Sequence, residues 1–184
     1  MAIPTDVLFI SSTYLKRVTP LSGAIDDEWI APAITLAQDK YVQMYLGTKL
    51  YDKLRSEISG GSVAEPYATL LDTHVVKVTA WWTMVELLPN LYAQIDNGGL
   101  ILRSATNALS AGSVDMTREV ERARRNAQFY THTMYRYLTD NTTLFPEYGS
   151  NSGAQLHPEA GRFTQNGYSI THRQPHQDWR RFFA

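Results

Sequence analysis

Arg118, Arg122 and Arg125 recur at four- and three-residue spacing, with Arg124 beside them. On a helix this spacing puts the three guanidinium groups on one face, where they could meet phosphate oxygens along duplex DNA. Glu119 and Glu121 are interleaved with them, so the same residues also read as a solvated face that balances its own charge. Nothing around the stripe resembles a base-reading module, so any contact it made with DNA would be non-specific. His172 and His176 are four apart, the spacing of two metal ligands on one helical turn. Pro175 between them disfavours that helix, and no carboxylate is placed to complete a site. His74 lies near an apolar helical stripe and reads as a partly buried histidine. Asn97-Gly98-Gly99 lacks both the spacing and the lysine of a phosphate loop, and no serine sits in a G-x-S-x-G elbow. Asp26-Asp27-Glu28 could pass for paired catalytic carboxylates, but a helix start draws acidic residues in any case. No catalytic residue, cofactor site or metal site is assigned, and the expectation is a protein that is not an enzyme.

The elements that would carry these residues follow from hydrophobic spacing. Val7 to Ile10 fits a short strand, and Ser11 to Val18 fits a short helix capped by serine; periodicity does not decide at this length. A first long helix starts near Asp26–Glu28, with Ile30, Ile34, Ala37, Tyr41 and Met44 on one stripe. Pro32 is expected near its beginning, where a missing N–H costs least. Gly47 fits the left-handed position that ends a helix, and Thr48 could cap the next one, whose inner face is Leu50, Leu54 and Ile58. After Gly60-Gly61, a helix beginning beyond Pro66 carries Tyr67, Leu70, Leu71, Val75, Val78, Trp82 and Val85, a stripe wide enough for a central helix. Pro89 is expected to close it. Trp81 and Trp82 must point in different directions, one into the core and one toward a neighbour.

Residues 90–114 change character. Asn97-Gly98 signals a turn, and Leu100–Leu102 with the run around Ala108-Leu109 suggests a loose hairpin or extended arm. A last helix, capped by Asp115 or Thr117, repeats Met116, Val120, Ala123, Ala127, Tyr130, Met134 and Tyr137 and ends by Asp140-Asn141. From 149 to 184 the chain is rich in Gly, Asn, Gln, Ser, His and Pro and reads as an extended interaction tail. Yet it ends in Trp179, Arg180, Arg181, Phe182 and Phe183, the residue types that anchor an interface.

The predicted fold is mainly α. It is a bundle of about four to five helices over 26–148, with an inserted arm at 90–114, an N-terminal segment at 1–25 and an irregular tail at 149–184. The 184 residues, 43% hydrophobic, suffice for one core. A net charge of -1 argues for neither nucleic acid nor membrane as a bulk partner. The absence of cysteine rules out disulfides and thiolate chemistry. No segment approaches the roughly 20 apolar residues of a membrane span, and residues 1–6 lack the basic and apolar regions of a signal peptide. A soluble intracellular product is the default expectation.

One stretch is specific enough to suggest a family. Ala37-Gln38 on the first long helix is followed by Leu46-Gly47, Leu50-Tyr51 and Leu54. This pattern resembles the head–tail connector, or adaptor, proteins of tailed bacteriophages. Phe145-Pro-Glu-Tyr148 after the last helix looks like the version in phages of Bacteroidetes, including the crAss-like group. The resemblance covers 26–148. It implies a virion structural protein at the head–tail junction, forming a homo-oligomeric ring, usually twelve-fold, under the portal. Its implied partners are other copies of itself, the portal protein, a downstream tail or neck protein, and packaged DNA by non-specific contact. The family has no catalytic residues or cofactors to carry over. In such a ring the Arg118/Arg122/Arg125 face would line the DNA channel or pair with acids on the next subunit. The rival expectation is a helical DNA-binding or regulatory module that uses the same face.

Overall fold

The computed structural model describes residues 7–96, 99–102 and 113–159. The fold is mainly helical. α1 (Ser12–Val18) settles the N-terminal ambiguity in favour of helix: the Ser11 hydroxyl accepts the Tyr14 N–H and caps it. α2 (Asp27–Ala37) begins where the acidic run predicts, with Asp26 as its N-cap residue. Pro32 lies inside α2 and not at its first turn, so the helix starts earlier than the proline suggested. α2 leads without a break into a π-helical turn (Gln38–Val42) and then α3 (Gln43–Leu46). The π turn coincides with buried Gln38, whose side chain accepts the Phe9 N–H at 2.7 Å and donates to the Val7 carbonyl at 3.0 Å. The N-terminal segment is thereby tied to the rod, and Phe9 meets the Tyr51 ring edge-on.

Gly47 stops α3 and starts α4 (Thr48–Ser59) in a single residue. Its N–H donates to the Gln43 carbonyl and its own carbonyl accepts the Tyr51 N–H. At φ 76 and ψ 161 it occupies not the left-handed helical well but the more extended positive-φ region that is nearly confined to glycine. Thr48 is the first residue of α4, not its cap. Its hydroxyl accepts the Leu156 N–H, and its N–H donates to the Leu156 carbonyl. α4 buries Leu50, Tyr51 and Leu54.

α5 (Tyr67–Leu70), a second π-helical turn (Leu71–Val75) and α6 (Val76–Tyr92) form the central rod. α6 buries nine of its residues and packs against both α2 and α7. Pro89 does not close it. Lying one turn from the end, it removes only the bond that would reach the Val85 carbonyl, and the helix runs on to Tyr92. Then β1 (Ala93–Asp96) pairs antiparallel with β2 (Gly99–Leu102), from Ala93 opposite Leu102 to Asp96 opposite Gly99. The partner of Leu100–Leu102 is thus the strand before Asn97-Gly98; the run around Ala108-Leu109 lies outside the described residues.

α7 (Ser113–Asp140) starts ahead of both Asp115 and Thr117, so neither is its cap. It buries Ala123, Ala127, Thr131, Met134 and Leu138. Trp82 joins the two long helices: its Nε1–H donates to Thr131 Oγ1 at 3.0 Å, and its ring stacks on Tyr41 at 3.8 Å. After the short α8 (Pro146–Gly149) the packed chain does not end at 148. Phe145 and Tyr148 are core residues, and the chain through Glu159 returns to the α3–α4 corner. The boundary drawn at 148 is therefore too early for packing; residues 160–184 lie outside the described residues.

Candidate assembly surfaces

Arg118, Arg122 and Arg125 all project from the side of α7 turned away from the core, as their spacing predicts. Arg118 pairs with Asp115 at 3.7 Å, Arg122 with Glu119 at 3.7 Å, and neighbouring Arg124 with Glu121 at 3.2 Å. These are exposed pairs three residues apart, worth well under about 1 kcal/mol each. Arg125 makes no ion pair among the described residues. The sequence reading missed Phe129, which is 66% exposed and stands on the same outward side as the arginines. The signal was present: a large apolar residue at four-residue spacing from Arg125 breaks the polar half of the helix pattern.

The Leu46–Leu54 stretch has a structural task. Leu46, Leu50, Tyr51 and Leu54 are buried, and Tyr51 donates its hydroxyl to Asp39 at 2.8 Å. Burial pushes the Tyr51 hydroxyl up to about 12, with Asp39 adding to the shift, so it remains a donor throughout the ordinary pH range. Asn151, buried against this corner, accepts the Lys49 N–H and donates to the Glu147 and Tyr148 carbonyls. A β-carbon on Gly47 would stand 2.7 Å from Asn151 Nδ2 and 2.9 Å from Pro158 Cδ. The corner is closed by the chain that follows α8.

The titratable residues singled out from the sequence take part in packing and helix starts. His74 stacks on Tyr137 at 4.4 Å, and burial, with Lys77 nearby, holds its pKa below the ordinary value. Glu86 is pushed up by burial but pulled further down by hydrogen bonds from Lys40 and Tyr41, so it remains a carboxylate bound between helices. The Asp26-Asp27-Glu28 run is a helix start, with Asp27 held by Lys16 at 3.0 Å. Among the described residues no group of three or more His, Asp or Glu could hold a metal ion, and no helix is long and apolar enough to cross a membrane. His172 and His176, and the proposed anchors Trp179, Arg180, Arg181, Phe182 and Phe183, lie outside the described residues. Trp82 is the core tryptophan. Trp81 is half-buried and lines a groove of about 460 Å³ with Leu21, Ile25, Met84 and Leu88, closed on the α7 side by Arg122.

Neither a curated protein nor a solved structure matches the chain. Residues 42–157 match DUF6712, described as a family of unknown function, and the match spans the Gly47 corner, the central helix, the β-ribbon, α7 and the segment that closes the corner. The chain belongs to the DUF6712 family.

Proposed function

We propose that this protein is a virion structural component that forms a homo-oligomeric ring, joins the portal to the tail and extends the DNA channel. It acts by binding and not by catalysis. The observation that carries the reading is the Ala37-Gln38, Leu46-Gly47, Leu50-Tyr51, Leu54 pattern. Its residues are the buried parts of a helix–glycine–helix corner, a packing task that suits a structural scaffold. Further support comes from the β-ribbon inserted between α6 and α7, an arm suited to reaching a neighbour. The rival module, which would bind DNA through α7, is less well supported: a large apolar side chain, Phe129, stands exposed beside its arginines.

The test is co-expression with a portal protein from the genome that encodes this chain, followed by affinity purification and negative-stain imaging. Portal particles bearing an added ring of this chain are expected. A chain that never co-purifies with portal, at low salt and high concentration, sinks the proposal.

A further inference from the structure

Two outward helix faces of this subunit are opposite in charge and alike in carrying apolar residues. On α2, Pro32 and Leu36 are exposed, Leu36 by 46%. They stand between two shallow hollows, one bordered by Glu28 and Trp29, the other by Leu8 and Asp39. The cations nearest this face are engaged with acids, Lys16 with Asp27 and Lys40 with Glu86 at 2.8 Å, so Glu28 and Asp39 set its sign as negative. On α7, Phe129 at 66% exposure stands among Arg118, Arg122, Arg125 and Arg136, and Val114 at 68% lies near the helix start. The acids beside Arg118 and Arg122 hold them only through exposed pairs of 3.7 Å. Such pairs exchange for new partners at little cost.

α2 and α7 both pack on α6, and the two faces are distinct patches of one chain. We infer that the outward face of α2 on one copy docks on the outward face of α7 on the next, with Leu36 and Pro32 against Phe129 and with Glu28 and Asp39 against the arginine stripe. The inference rests on the homo-oligomeric reading above and names the two surfaces it would use. A contact between unlike patches of identical chains is heterologous, the kind that closes into a ring when the rotation allows. Pairing α7 with α7 instead would oppose arginine to arginine, which is costly. Arginine and aromatic side chains are also the types enriched in interface centres, and a channel lined only for DNA has no use for an exposed phenylalanine.

The chain has no cysteine, so a Leu36→Cys/Phe129→Cys double variant carries the only two thiols. Oxidised at high concentration and low salt, it is expected to give a ladder of dimers, trimers and larger species, while neither single variant does. Adding Arg118→Glu/Arg122→Glu/Arg125→Glu, or separately Glu28→Lys/Asp39→Lys, is expected to lower the ladder yield by about tenfold or more. Circular dichroism would establish that each variant is folded. Mixing the two charge-reversed proteins then restores the ladder, because every α2 face again meets an α7 face of opposite sign. No ladder at any salt concentration, or no rescue on mixing, overturns the inference. Portal binding is scored separately. A chain that binds portal without the ladder refutes these surfaces and leaves the proposed function standing; a ladder without portal binding does the reverse.

Discussion

Gly47 is the residue on which the resemblance and the geometry converge. Its backbone conformation is strained for any side chain, and a β-carbon there would also meet Asn151 and Pro158. Gly61 has a similar φ, 80, but an added β-carbon would meet nothing within 4 Å. The two glycines therefore share a positive φ and differ in crowding, and Gly47 has in addition an extended ψ of 161. Gly61→Ala is expected to cost about 1 kcal/mol from conformation alone, and Gly47→Ala at least about 2–3 kcal/mol. Urea denaturation of both variants measures the difference; equal losses would mean that the return of residues 151–158 does not depend on glycine. The glycine itself was legible in the sequence as a helix stop. Its crowding was not, because the atoms that crowd it come from more than a hundred positions later in a stretch without periodicity. Gln38 is a similar case: the sequence shows a polar residue on a mostly apolar rod, but not that the Phe9 N–H and Val7 carbonyl await it inside.

Helices were legible wherever apolar residues repeat at three and four, and their ends were less so. Pro89 and the candidate caps Asp115 and Thr117 each suggested a boundary that the helices run past: Pro89 forfeits one bond near the end of α6, α7 is already helical at Ser113, and between these ends the two helices share a buried seam. That seam carries a polar cross-link from Trp82 to Thr131, and Thr131 also donates to the Ala127 carbonyl. Thr131 is fully buried, so Thr131→Val keeps the volume while leaving the indole N–H without a partner. The expected loss is about 1–3 kcal/mol in chemical denaturation. A Thr131→Val protein as stable as the parent would show that the helices are held by apolar contact alone. The arginine stripe of α7 was readable from its spacing. Phe129 was overlooked because it counts toward aromatic content before it is placed on a face.

At the scale of the molecule, the main revision concerns where the packed chain ends. The sequence suggested a bundle complete at Tyr148, because residues 149–159 are polar and aperiodic. Their attachment runs through backbone groups, which hydrophobic patterning does not register: Thr48 with Leu156 in both directions, and the Glu159 N–H to the Met44 carbonyl. A chain ending at Glu159 keeps all of these bonds. One ending at Tyr148 should lose about 2 kcal/mol or more in urea unfolding, since it forfeits these bonds and the three that Asn151 makes. Equal stability of the two truncations would restore the earlier boundary. The same clasp has a consequence during synthesis. A ribosome delivers the α3–α4 corner long before the residues that seal it, so the nascent chain carries an unfinished joint until Leu156 emerges. Completing the joint is then the return of a late segment to an early one, and a subunit released prematurely would be marked by that open joint.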